Sequence, residues 1–322
     1  MTKGACVHAH LDVRGRAPVA PGRPERQPAG VNALVAPLET ALTAALGRAV
    51  RVSALDPVGG GCINDTQRAQ TDAGSFFVKT NPAAPPGFFA GECAGLEALA
   101  AAPGGLPVPR VVALLDRPAA LVLEDLGAGR PVRDFETAVG EGLARQHLHT
   151  APAFGFAVPT YCGLTRQDNT PTATWLDFYR DRRLRPLLRL LAQRGALDPA
   201  TRALFDRLLD RLADHLGPVD EPPALLHGDL WSGNLHTRAD GRPTLVDPAA
   251  AFGHREAELG MMVLFGGFGP RVFAAYEAVR PLAPGWRERL PLYSLYHVLN
   301  HAVLFSGGYL GQAVGLARRF VS

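Results

Sequence analysis

Cysteine is scarce in this chain. Its 322 residues include four, Cys6, Cys62, Cys93 and Cys162, scattered and without a CxxC pair. That density excludes a disulfide-stapled secreted scaffold and fits a reducing cytoplasm. Long apolar runs are absent as well. No uninterrupted stretch approaches the ~20 residues that cross a bilayer, and the first thirty residues hold no apolar core of signal-peptide length. Residues 1–33, rich in Pro, Gly and Arg, read as a loose extension or a start codon set too early. Nor is there a basic tract: 33 Lys and Arg face 30 Asp and Glu, a net charge of +3, which argues against a dedicated nucleic-acid binder. The Arg-rich run YRDRRLRPLLRLLAQR from Tyr179 carries Leu184, Leu187, Leu188 and Leu191 at helical spacing. It reads as a solvated helix face, with attraction of an anionic substrate or partner as the alternative. A GxxxxGK[ST] motif is missing, so any phosphate site is not of the Walker type.

What is present is a chain 47% hydrophobic and long enough for two lobes. An amphipathic helix over VNALVAPLETALTAALGRAV is followed by strand-like runs at Val50–Leu55, Ile63–Gln70 and Ser75–Lys79, separated by PVGGG and the hairpin signal TDAG. A helix, FFAGECAGLEALAA, and two more apolar runs, RVVALLD and AALVLEDL, complete an antiparallel sheet with one inserted helix. Beyond GAGRPVRD the patterns turn helical, over Phe135–His149, Thr172–Gln193, Ala200–Leu216 and Trp286–Phe305. Only PALLH and PTLVD suggest strands there. The class is α+β: a sheet-rich lobe over residues 34–126 and a helical lobe over 127–322.

The chemistry concentrates in LLHGDLWSGNLHTRADGRPTLVDPAA. Asp229 and Asn234 follow one strand; Asp247, 13 positions beyond Asn234, closes the next. A tight hairpin would bring both loop ends to one cavity. Carboxylate and amide oxygens suit Mg²⁺, a hard ion that takes one or two protein carboxylates plus substrate phosphates. Asp229 is then free to orient or deprotonate a hydroxyl. His227, Asp229 and Asn234 share the spacing of a kinase catalytic loop, although Asp and Asn are also ordinary turn formers. Upstream, the turn of Gly59, Gly60 and Gly61 lets backbone N–H groups approach phosphate oxygens, and Lys79 ends an apolar strand where an ammonium needs an anion. Glu92 on the next helix is a candidate partner for Lys79.

These segments resemble the fructosamine kinase family, also called ketosamine 3-kinases, among the aminoglycoside-phosphotransferase-like kinases. The resemblance rests on HGDLWSGN, VDPAAAFGHREAELGMMVLFGGF, PLYSLYHVLNHAVLFSGGYLGQA, VGGGCINDT, FFVKTN, GECAGLEAL, LARQHLHT and TPTATWLDFYRDRRLRP, and runs from about Leu34 to Phe320. It implies a bilobal protein-kinase-like fold and ATP-dependent phosphorylation of the 3-hydroxyl of a sugar joined to an amine, free or on a protein lysine, which restores the amine. By position it implies Asp229 as base, Asn234 and Asp247 as Mg²⁺ ligands, Lys79 on phosphate with Glu92, and backbone from Glu124 through Asp125 to Leu126 facing adenine. Trp231 would wall the sugar or its amine. Two departures stand out. Glu258 stands where the family often has Asp, and Gly91 replaces a helix former at roughly 0.5–1 kcal/mol of helix stability.

Cys62, inside the glycine turn, reads either as a small apolar filler or as a thiol activated by positive charge, giving oxidative inhibition through a disulfide between two chains. The chain is thus expected as a monomer or a redox-dependent homodimer. His254, Arg255 and Glu256 follow Asp247 closely and read either as lining the acceptor pocket or as structural pairing. His297 and His301 have i, i+4 spacing but no third zinc ligand in sequence, so they read as core or substrate-facing. Two other functions stay open: a kinase of the same fold for a free small molecule such as an aminoglycoside or choline, and a non-catalytic nucleotide-binding scaffold.

Overall fold

A computed structural model describes residues 31–59, 63–217 and 220–321. Gly60, Gly61 and Cys62 lie outside the described residues, so the phosphate-turn and redox expectations for them are not addressed. The described residues divide into two compact units, one within 31–84 and 111–125 and the other within 85–110 and 126–321.

The first unit is a five-stranded antiparallel sheet with one helix. Its strands are β1 (Val52–Pro57), β2 (Asp65–Thr71), β3 (Gly74–Thr80), β4 (Val111–Leu115) and β5 (Ala120–Glu124), in the order β1-β2-β3-β5-β4. Asp72 and Ala73 turn the β2–β3 hairpin, and Gly74 leaves it at φ 106°, a conformation costly for a residue with Cβ. Helix α1 (Val31–Leu46) sets Leu34, Leu38 and Leu42 at four-residue spacing, so one face packs into a core with Phe76, Val78 and Val122. Interior strand β5 is apolar and buried from Ala120 to Leu123, whereas β2 buries only Ala69.

The second unit holds α2 (Phe88–Ala100), α3 (Phe135–Gln146), β6 (Thr160–Cys162), β7 (Thr165–Gln167), α4 (Trp175–Asp177), a π-helical segment Phe178–Leu184, α5 (Arg185–Gln193) and α6 (Pro199–Asp210). There follow β8 (Ala224–Leu226), β9 (Leu235–Thr237), β10 (Pro243–Leu245), β11 (Ala251–Gly253), α7 (Arg255–Leu264), α8 (Pro270–Val279), α9 (Trp286–Phe305) and α10 (Tyr309–Arg318). Helix α9 is buried on all sides from Leu292 to Val303, the mark of a core helix and not of an amphipathic one. Around it Trp175 stacks on Tyr179 at 5.3 Å between centroids, and the Tyr179 hydroxyl donates to the Leu292 carbonyl at 2.7 Å.

The tight hairpin expected between Asn234 and Asp247 forms, with β9 paired to β10, while β8 pairs with β11. Two expectations are corrected. The Arg-rich run is not a plain solvated face. Arg183 is 6% exposed and donates to the Asp168 carbonyl and Asn169 Oδ1, while Arg180, Arg182 and Arg185 pair with Asp177, Asp168 and Asp181. Helix α2, expected with the sheet lobe, packs within the second unit, where its Phe88 ring meets Tyr161.

That packing explains Gly91. A Cβ there would sit 2.6 Å from the Pro159 carbonyl oxygen, so glycine permits the approach of α2 to β6. We therefore expect Gly91→Ala to destabilise the chain by about 1–3 kcal/mol despite its better helix propensity, a loss that urea unfolding measures.

Candidate active site

The loop after β8 carries Asp229, and its backbone is dictated by close approach. Gly228 has φ 82°, and a Cβ on it would lie 2.2 Å from the Ala249 carbonyl oxygen, so no other residue fits. His227 is fully buried. Its Nδ1 accepts from the Asp229 N–H at 3.3 Å and its Nε2 lies 2.8 Å from the Val246 carbonyl, which it reaches as the Nε2–H tautomer. The imidazole thus joins the loop after β8 to the loop after β10. Asn234 follows in a 3₁₀ turn, Ser232–Asn234, and its Nδ2 donates to the Asp229 carbonyl at 2.8 Å, which leaves Oδ1 as an oxygen donor.

The β9–β10 register brings the third group in. Leu235 opposes Leu245, and the Val246 N–H donates to the Asn234 carbonyl at 3.0 Å, so Asp247 emerges beside Asn234. Asp247 is exposed and takes φ 59°, a left-handed conformation uncommon for a residue with Cβ and frequent at functional sites. Burial first, then the Asp247 and Glu258 carboxylates, push Asp229 up to about 8. Grouped acids with a raised proton affinity are what a cation site and a general base require.

Glu258 was noted in the sequence only as a departure. In the structure it is buried and uses both carboxylate oxygens on the catalytic loop, accepting the His227 N–H at 2.5 Å and the Gly228 N–H at 3.0 Å. Burial alone would raise its pKa. His147, whose Nε2 lies 3.7 Å away, together with the His227 ring and N–H, holds the carboxyl below its ordinary value. Burial keeps His147 neutral, and its Nδ1 faces the Tyr276 hydroxyl at 2.7 Å. Glu258 lies two turns before the end of α7, and nothing in its spacing to Asp229 signals this role.

Lys79 and Glu92 are each buried within their own units, Lys79 on β3 and Glu92 on α2. Helix α2 is anchored next to the metal loop, since a Cβ on Gly95 would meet Ala250 at 3.1 Å. Glu124 pairs with Phe76 at the end of β5, the Asp125 carboxylate binds Arg68 at 2.6 Å and Ser75 at 2.8 Å, and the Leu126 carbonyl accepts the Ala239 N–H. Gly59 ends the described part of its turn in open space. Trp231 is half-buried with its ring over Gly233, where a Cβ would come within 2.1 Å of the indole, and it meets Phe265 edge-on at 6.5 Å.

Of the two readings of His254, Arg255 and Glu256, the contacts fit structural pairing. All three are buried and committed elsewhere. His254 caps α7 and stacks on Tyr293, Arg255 binds Glu221 at 2.6 Å through two nitrogens, and Glu256 likewise grips Arg289. The capping position after β11 turns this segment inward. His297 does reach the cluster, with Nδ1 3.9 Å from Asp229 Oδ1. His301 points its Nδ1 at the His297 carbonyl instead and joins a group of rings with Phe265, Phe305 and Tyr309.

A five-stranded antiparallel sheet with one helix, followed by a mostly helical unit that carries Asp229, Asn234 and Asp247 on adjoining loops, is the architecture of the protein-kinase-like class. The family model for fructosamine kinase matches residues 35–322, and the chain belongs to that family. It is 39% identical over 277 residues to a protein-ribulosamine 3-kinase, chloroplastic, from Oryza sativa subsp. indica, covering 84% of this chain and 79% of the relative. Its structure superposes on that of a protein described as a fructosamine-3-kinase from Thermobifida fusca with TM-score 0.80 and 38% identity, covering 90% and 98% of the two chains. An aminoglycoside phosphotransferase, APH(4)-Ia, solved with ADP and hygromycin B, shares the fold at TM-score 0.54 and 18% identity over 88% and 99%.

Replacing Glu258 with Gln supplies one acceptor where two N–H groups need one each. We expect Glu258→Gln to lose about 1–3 kcal/mol of stability and to lower kcat more than it raises KM. Thermal melts and steady-state kinetics on the same sample check both.

Proposed function

We propose that this chain transfers the γ-phosphoryl group of ATP to the 3-hydroxyl of a ketosamine, free or on a protein lysine, with Asp229 as general base. The observation that carries the reading is the convergence of Asp229, Asn234 and Asp247 through the Val246–Asn234 hydrogen bond. The reaction class comes from the family, and the substrate from the ribulosamine kinase it resembles.

The donor set fits Mg²⁺. The Asn234 amide nitrogen is engaged by the Asp229 carbonyl, which leaves the amide oxygen, and the exposed Asp247 follows Val246, whose N–H bonds to the Asn234 carbonyl. Magnesium bound there supplies charge neutralisation on the phosphates and a template for in-line transfer. The protein's own part is positioning. Asp229 accepts the proton of the attacking hydroxyl while that oxygen bonds to phosphorus and ADP leaves. Glu258, His227 and Asn234 hold that carboxylate still. Trp231, seated on Gly233, presents an apolar face compatible with a protonated amine near the sugar. Roles for Lys79 and Glu92 on phosphate, and for the backbone of 124–126 on adenine, rest on the family resemblance. Breakdown of the phosphorylated adduct would free the amine, a repair of glycated protein; a cytoplasmic site of action belongs to the same reading. No helix among the described residues is long and apolar enough to cross a membrane.

Asp229→Asn is expected to keep nucleotide binding and lose about 10²- to 10⁴-fold in turnover. Near-normal turnover would remove Asp229 from the base role. Trp231→Ala should raise KM for the ketosamine by about 2- to 30-fold, the range of one cation–π contact, with kcat less affected. Both are read by coupled ADP release with ribulosamine, erythrulosamine and fructosamine. Mass spectrometry of the products identifies the preferred sugar, and ADP release with aminoglycosides or choline but no ketosamine would overturn the substrate.

A further inference from the structure

Two donors beside Asp229, Cys162 and His297, have no assigned part in phosphoryl transfer. Cys162 closes β6, His297 lies in the middle of α9, and Asp229 follows β8. The Cys162 sulfur, one His297 ring nitrogen and one Asp229 carboxylate oxygen all lie within 4.8 Å of one another. His297 is 4% exposed, and its Nδ1 is buried, has no hydrogen-bond partner and is directed at Asp229 from 3.9 Å. A buried ring nitrogen left without a partner is costly, so its retention here points to a ligand. Burial, then His301 and Arg183, push His297 down to about 3, which leaves the imidazole neutral with a lone pair to give.

The chemistry of the three donors selects the ligand. Thiolate, imidazole and carboxylate form a zinc-type set, and neighbouring donors around tetrahedral zinc stand about 3.5 Å apart, so the cluster needs a contraction of about 1 Å. Magnesium does not favour sulfur and nitrogen, which separates this cluster from Asn234 and Asp247. Access is open on one side, because the Asp229 side chain is 21% exposed while Cys162 lies behind it.

We propose that Cys162, Asp229 and His297 form a binding site for a thiophilic divalent cation of the zinc type, and that its occupation switches the enzyme off. On binding, the cation replaces the thiol proton and the proton that Asp229 largely carries at neutral pH, forming sulfur–metal and oxygen–metal bonds and releasing both as H⁺ with no electron transfer. Its fourth coordination position faces the acceptor side and takes water. Occupation ties up the Asp229 carboxylate and fills the space of the acceptor hydroxyl. The binding site stands independently of the base assignment; its inhibitory effect rests on it.

Nucleotide-free protein titrated with Co²⁺ tests the site. One equivalent should produce thiolate-to-cobalt charge-transfer absorption that Zn²⁺ then abolishes. Cys162→Ser should lose the band and bind Zn²⁺ about 100-fold more weakly, at least the effect of removing an outer-shell partner. A Cys6→Ser, Cys62→Ser, Cys93→Ser triple variant, which retains only Cys162, should keep the band. No band in the wild type, or none in the triple variant when it melts cooperatively, overturns the site, as does a band undiminished in Cys162→Ser. In the same preparations, Zn²⁺ at one equivalent with excess Mg²⁺ and ATP should cut ketosamine turnover about 100-fold or more. Stoichiometric Zn²⁺ binding with full turnover would leave the site standing and overturn its inhibitory role together with Asp229 as base.

Discussion

The Glu258 carboxylate is the contact on which the catalytic loop depends. After β8 the backbone leaves its ladder, and the N–H groups of His227 and Gly228 would be orphaned in a dry interior without an acceptor. One buried side chain satisfies both. It does so from α7, an element that begins only two residues after β11, so pairing of β11 with β8 and placement of Glu258 are one event. Glu258 reaches the loop with two oxygens at 2.5 and 3.0 Å, and the two backbone N–H groups, with the His147 Nε2 at 3.7 Å, make its buried carboxylate tolerable.

Around that contact the site is assembled by missing side chains. Gly228 lets the Ala249 carbonyl pass, Gly233 seats the Trp231 ring, and Gly91 and Gly95 let α2 close on Pro159 and Ala250. In each case a methyl group would have to displace backbone, a ring or a neighbouring residue. The segment from Asp247 to Ala250 is consequently gripped from both sides, by the β8 loop and by α2, and Asp247 can be held at a positive φ. Rigid support of this kind is what positioning catalysis asks of a fold.

The glycines, acids and amide that define the reaction sit in contiguous, strongly spaced motifs, and this is why HGDLWSGN and VDPAAAFG were legible. Helix α9 was legible from its length, and the hairpin at Asp72 and Ala73 from its turn residues. Short elements were not. β9 and β11, three residues each, carry too few side chains to show a period, and the pairing of β8 with β11 depends on contacts 25 residues apart. His254, Arg255 and Glu256 read two ways because they are polar and adjacent to the metal loop; the helix cap and two buried ion pairs took all three inward.

What the sequence alone determined is the family and its reaction class: Asp229, Asn234 and Asp247 stand in kinase spacing, within motifs that resemble the fructosamine kinases. Tertiary structure decided which polar residues serve it. Glu258 became the support of the loop, Arg183 a core residue, and Cys162 a neighbour of the catalytic carboxylate, 67 positions away in the chain (229 − 162). The reason is physical: chemistry is set by the type and local spacing of donors, whereas burial and partnership are set by long-range packing that no local pattern encodes.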